Sequence, residues 1–319
     1  MGGVSWETVP AWPHPALRPG VISYRGVRVH LDRPRRRLEA PIGAATLLLG
    51  FEQPVRISRA GRPPVSLVSV VNGLTTVPAL GEHGGRISGV EVLLEPWAAF
   101  GLFGTEQYEL ANRSLGPDQL DPDLAQLAGA LAALPGWPER FALLDRVLLE
   151  RFRVGAPVSE RVVHAWSVLR RSAGVIPVAK LADEVGWSVR HLENRFREQI
   201  GLPPKAAARV LRLQRARRLL AAGHGQAETA AVCGYYDQAH FSGEFKAMTG
   251  CTPGEFLAAR RLTAGNTATD RLAGEATSLL LASGRGALFS KTRASRAGHA
   301  DHPAGGLPGE AGASGGQGD

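Results

Sequence analysis

Two segments of this chain place the same residue types at nearly the same intervals, and that repetition limits the fold more than any other feature. In "VIPVAKLADEVGWSVRHLENRFREQIG" (175–201), Ala182 stands four residues before Gly186, and Leu192 and Phe196 follow the glycine by six and ten. In "AETAAVCGYYDQAHFSGEFKAMTG" (227–250), Ala230 stands four before Gly234, and Phe241 and Phe245 follow by seven and eleven. A small residue lets two helices approach closely, glycine makes the tight turn between them, and the apolar i, i+4 pair faces inward from the second helix. Ser188 and Asp237 suit the N-caps of those second helices. The exits also match: "IGLPP" and "TGCTPGEF" each pair a helix-ending glycine with a proline that restarts a helix. One helical hairpin of this kind is common, but two in succession predict a compact all-α unit.

The two helix-turn-helix patterns are predicted at 177–200 and 227–249, with a connecting helix over 204–222. The connector, "KAAARVLRLQRARRLLAAG", consists of strong helix formers and spans about 28 Å at 1.5 Å per residue. That approaches the roughly 34 Å between successive major-groove faces of duplex DNA. Residues 201–222 hold six basic side chains and no acid, whereas residues 1–176 are nearly balanced, with 19 basic and 16 acidic. A basic block alone is better read as a solvated helix face. Between two paired helices it points to a polyanion, with arginines on phosphates while the second helices reach bases.

Residues 175–262 resemble the DNA-binding domain of the AraC/XylS family of transcriptional regulators, most specifically along "AVCGYYDQAHFSGEFKAMTGCTPGEF". The outward residues of the first recognition helix are Ser188, Arg190, His191, Glu193, Asn194 and Arg197. The resemblance implies that Arg190, Glu193 and Asn194 face bases, where Arg suits guanine, Glu a cytosine amino group and Asn adenine. Glu193 has an alternative, an intrahelical pair with Arg197 at i+4. On the second helix the exposed set is Gln238, Ala239, His240, Ser242, Gly243 and Lys246, with Gln238 suited to adenine. Gly243 departs from the arginine often found there in the family. On the connecting helix, Arg209, Arg212 and Arg215 are expected on phosphates. Double-stranded DNA is therefore the expected partner, in the cytoplasm at the nucleoid, with a homodimer and, for an activator, RNA polymerase as further partners.

Residues 20–95 read differently. The runs "VISYRGVRVH", "RRLEA", "ATLLLGF", "PVRIS", "VSLVSVV" and "GVEVLL" are strand-like and separated by Gly and Pro. Helical periodicity takes over from about 96, including a stripe of Trp137, Phe141, Leu144, Leu148 and Phe152 that suits core packing. The helix over 159–172 closes or bridges this half, with His164 and Trp166 as packing residues. The expected fold is α+β in two domains. The short strands suit a small antiparallel sandwich or barrel; the family resemblance, weaker in this half, implies that residues 1–156 form a β-rich, cupin-like barrel with helices that senses a small molecule, dimerises or both, and that residues 157–262 form the DNA-binding domain. Residues 263–319, rich in Gly and Ala, are expected to be disordered.

Cys233 and Cys251 lack the close spacing of a zinc site, and residues 1–176 contain no cysteine. His14, His30 and His83 show no ligand spacing, and "GEHGG" (81–85) suits a loop. No metal, cofactor or enzymatic activity is therefore expected. An enzymatic or pure protein-interaction N-terminal half is the alternative. No apolar run reaches membrane-spanning length, and no signal peptide is expected.

Overall fold

The β-rich runs form two antiparallel sheets. One has the order β1 (Ser5–Ala11), β2 (Val21–His30), β9 (Arg86–Leu94), β4 (Ala45–Gly50), β7 (Val70–Asn72) and β10 (Ser114–Leu115). The other has the order β11 (Ser278–Leu281), β3 (Arg35–Glu39), β8 (Ala79–His83), β5 (Val55–Arg59) and β6 (Val65–Leu67). The computed structural model describes residues 5–262, 270–271 and 276–281.

Alternation along the central strands gives the six-stranded sheet two distinct faces. Ala45, Leu47 and Leu49 of β4, with Val90, Val92 and Leu94 of β9, are buried in one core with α1 (Pro96–Phe103), α2 (Pro122–Ala133) and α3 (Trp137–Val154). Each such aliphatic side chain contributes about 1.5–3 kcal/mol by leaving water. Within the predicted stripe, Trp137, Leu144 and Leu148 are buried, and Phe141 and Phe152 pack against them. Gly26 of β2 admits the indole of Trp137, because a Cβ there would sit 2.5 Å from Trp137 Cε3. The opposite face of this sheet, including Thr46, Leu48 and Glu91, lines a cavity of about 140 Å³ shared with the five-stranded sheet.

Three expectations about the strands need correction. "VSLVSVV" is not one strand: β6 and β7 lie in different sheets, with a break at Val68 and Ser69. "GEHGG" is not wholly a loop: Gly81, Glu82 and His83 belong to β8, which pairs on both sides with β3 and β5, while Gly85 turns the chain at φ 108°. The third correction concerns 263–319. Ser278–Leu281 forms a strand on β3, with Leu279 opposite Leu38 and Leu280 opposite Arg37. A four-residue apolar run pairing with an open sheet edge is invisible in a composition averaged over the whole segment. The remainder of that segment lies outside the described residues.

The helical region packs on the sheets within one compact unit. Here α4 (Glu160–Arg171) is the bridge: Trp166 is buried and donates from Nε1 to Glu95 Oε2 at 2.7 Å, and Arg170 pairs with the same carboxylate. His164 is not a packing residue. It is half exposed, with Nε2 3.6 Å from Glu184 Oε1. From α7 (Pro204–Ala221), Gln214 accepts from Gly43 N at 2.9 Å and the buried Arg217 donates to Pro41 O at 2.8 Å. Beyond α10 (Pro253–Leu262) the chain returns to the sheets. Asp270 takes two hydrogen bonds from Arg260 of α10, at 2.7 and 3.1 Å, while its carbonyl accepts from Arg25 of β2 at 3.0 Å.

Candidate nucleic-acid interface

Local chemistry builds the same hairpin twice. In the first, α5 (Val178–Glu184) ends at Gly186, whose φ of 66° lies in the left-handed region that favours glycine, and Trp187 N donates back to Ala182 O at 3.0 Å. In the second, α8 (Gln226–Val232) ends at Gly234, with φ 72°, and Tyr235 N donates back to Ala230 O at 3.0 Å. The next helices start on side-chain caps. Ser188 Oγ accepts from His191 N at 3.2 Å to begin α6 (Val189–Ile200), and Asp237 Oδ1 accepts from His240 N at 2.7 Å to begin α9 (Gln238–Thr249).

The inward pairs, Leu192 with Phe196 and Phe241 with Phe245, are all fully buried. Phe245 stacks edge-on with Phe256 of α10 at 5.4 Å, which ties the second hairpin to the last helix. Both thiols are buried as well, and burial pushes them up, Cys251 to about 11. Among the described residues, no cluster of His, Cys, Asp and Glu comes together to hold a metal ion.

On α6 and its cap, Ser188, Arg190, His191, Asn194 and Arg197 are exposed and Glu193 is half-buried. The intrahelical alternative for Glu193 does not form: among the described residues neither Glu193 nor Arg197 has an ion-pair partner, while Arg195 takes Glu198 at 2.7 Å. His191 packs edge-on against Trp187 at 4.7 Å, which restrains its ring beside the helix start. On α9, Gln238, Ala239, His240, Gly243 and Lys246 are exposed and Ser242 is half-buried.

The basic helix α7 divides its arginines. Arg209 Nε and Arg212 Nη2 lie 3.2 and 3.8 Å from Glu244 Oε1, and Arg212 also covers the Tyr235 ring at 5.4 Å. Glu244 is only 10% exposed and also has His240 Nε2 at 3.6 Å. These two arginines therefore brace α9 against α7, Arg217 is committed to the core, and Arg215 has no ion-pair partner among the described residues. The brace includes a residue that sequence reasoning missed, Glu244. A second omission is Tyr236, 92% exposed in the longer second turn beside Asp237. The extra residue between Gly234 and the cap was its only signal.

A sequence comparison agrees with the two hairpins. Residues 181–259 match a helix-turn-helix domain family. Over 86 residues the chain is 35% identical to a probable thc operon regulatory protein of Rhodococcus erythropolis, covering 26% of either chain. The chain thus spans about a quarter of the length of that relative. Among solved structures, ToxT from Vibrio cholerae is 11% identical, with 80% of this chain and 98% of that chain covered and a TM-score of 0.42. The C-terminal domain of AraT, a response regulator from Geobacillus stearothermophilus, is 22% identical, with 37% and 97% covered and a TM-score of 0.31. The C-terminal helical region is a helix-turn-helix domain that contains two such hairpins.

Proposed function

We propose that this protein is a sequence-specific DNA-binding transcriptional regulator whose β-rich half senses a small molecule, dimerises or does both. The observation that carries the DNA reading is the pair of capped, equivalent hairpins joined by one basic 18-residue helix. That helix is about 27 Å long at 1.5 Å per residue, so two recognition helices can address neighbouring major grooves on one side of a duplex. Arg190, Glu193 and Asn194 of α6 are the base-reading set, with Ser188, His191 and Arg197 at its margin. On α9, Gln238 reads a base, and Ala239, His240, Ser242, Gly243 and Lys246 form the surrounding contact face. Arg215 holds phosphate, and Arg209 and Arg212 contribute mainly by positioning α9. Tyr236 adds an exposed ring at the edge of the same face.

The sensing role is supported by the cavity between the two sheets. Paired copies on adjacent half-sites gain affinity through effective concentration.

The test is fluorescence anisotropy of the full-length protein on genomic fragments and scrambled controls across a salt series. A preferred fragment whose advantage over its scrambled control persists as salt rises is the expected result. Equal affinity for all fragments, disappearing with salt, would overturn the assignment and leave only a polyanion-binding surface.

A further inference from the structure

The cavity between the sheets has a marked internal division. Val27, Val29, Leu48, Ile57 and Ile87 give it apolar walls. Five arginines line it as well: Arg25, Arg35, Arg37, Arg59 and Arg271. Only two carboxylates meet them there. Glu91 is 2.5 Å from Arg25 and 2.7 Å from Arg271, and Glu39 pairs with Arg37 and lies 3.5 Å from Arg271. Burial alone would raise the Glu91 carboxyl, but the surrounding guanidiniums outweigh it and hold it down to about 2.

Among the described residues Arg35 and Arg59 are left without a carboxylate, and of the two only Arg59 is fixed by hydrogen bonds. Its guanidinium donates to two neutral oxygens, Asn72 Oδ1 at 3.1 Å and Ser114 Oγ at 3.3 Å. Its buried Nε has no hydrogen-bond partner, and among the described residues it has no carboxylate. Burial, with Arg271 and Arg62 nearby, pushes it down to about 10 although Glu39 acts against them, so the group is charged at neutral pH with no carboxylate in contact. A buried charge without a counter-charge is costly and is ordinarily paired.

We infer that this cavity takes a compact organic anion, an apolar body bearing one negatively charged group, and that Arg59 receives the charge. The inference rests on the sensor role given above to the β-rich half and names the chemistry it senses. The cavity is close in size to one that holds a single benzene ring, about 150 Å³, so the body is small, on the order of six carbons. An anion beside Arg59 leaves the Glu39 and Glu91 pairs intact and gives Arg59 the contacting carboxylate it lacks. Glu39 and Glu91 also line the cavity and already hold Arg25, Arg37 and Arg271, so a second anionic group on the ligand would be opposed by these carboxylates.

The experiment is isothermal titration calorimetry of the full-length protein at pH 7.5 with three probes that share one body: hexanoate, 1-hexanol and hexylammonium. Hexanoate is expected to bind about tenfold or more tightly than hexanol, as a hydrogen-bonded charge pair should, with hexylammonium weakest. Asn72→Asp places a carboxylate on the atom Arg59 already contacts, in a side chain of the same shape. It should bring hexanoate affinity down to that of hexanol while leaving hexanol binding unchanged. Arg59→Met should do the same where it folds, as judged by a cooperative thermal transition. If hexanol or hexylammonium matches hexanoate on the wild-type protein, or if none of the three binds, the inference is overturned. Anisotropy on DNA is read separately, so a failed ligand series leaves the DNA-binding assignment standing, and a failed DNA series leaves the ligand result standing.

Discussion

The two hairpins share a scaffold and differ in what the scaffold presents. Each has a left-handed glycine, a capped second helix and a buried i, i+4 apolar pair. The first presents Arg190, Glu193, Asn194 and Arg197, and neither Glu193 nor Arg197 has an ion-pair partner among the described residues. The second presents shorter side chains around Gly243, and its one acid, Glu244, is held by Arg209 and Arg212 from the helix behind it. A duplicated fold therefore does not imply duplicated work. The first helix has the long hydrogen-bonding side chains that distinguish bases, and the second is fastened in place with fewer of them.

The largest effects should show the shared scaffold. Phe196→Ala and Phe241→Ala should each cost about 3–5 kcal/mol of folding stability, measured by chemical denaturation, because each empties a fully buried ring site. A large cost at only one would mean that the hairpins are not equivalent supports.

The next effects should separate the two faces. Arg190→Ala should cost about 1–3 kcal/mol at the preferred DNA site and nothing on scrambled DNA. Gln238→Ala should cost an amount near the bottom of that range, about 1 kcal/mol. A larger loss from Gln238→Ala than from Arg190→Ala would reverse the comparison. Arg215→Ala should weaken all sequences alike and reduce the salt slope by about 0.9. A change of sequence preference in that variant would show that α7 reads bases.

The smallest effect concerns the glycine itself. Gly243 is exposed within α9, and a Cβ there would meet nothing within 4 Å. Gly243→Ala should therefore raise stability by up to about 1 kcal/mol, read as a shift in thermal midpoint. No gain would mean that the glycine has a packing or binding reason to remain.

The C-terminal hairpins were legible in the sequence because their signals are local. Turn glycine, cap and apolar pair all fall within a few turns, and Ser188 and Asp237 cap where their residue types suggest. The N-terminal half was legible as strands but not as an arrangement. β2 matches its sequence run residue for residue, yet nothing local distinguishes β6 from β7 or assigns them to different sheets. β8 was hidden because Gly81 and the following glycines carry turn chemistry, which pairing on both edges overrides. The arginine-rich cavity was hidden for the same reason. Arg25, Arg59 and Arg271 are far apart in sequence, and only sheet register brings them together.

The returning segment bears on how such a protein could be taken apart or recombined. Arg271 and Leu280 line the cavity although they are encoded after both hairpins, and Asp270 is fastened to α10 by Arg260. A ribosome therefore finishes the cavity between the sheets only after it has finished both hairpins. A chimera that exchanges the front half at the junction before α4 would inherit a chamber with another protein's last wall. Exchanging the cavity between proteins of this architecture would need two cuts, one before α4 and one after α10, with the final strand travelling with the sheets it completes.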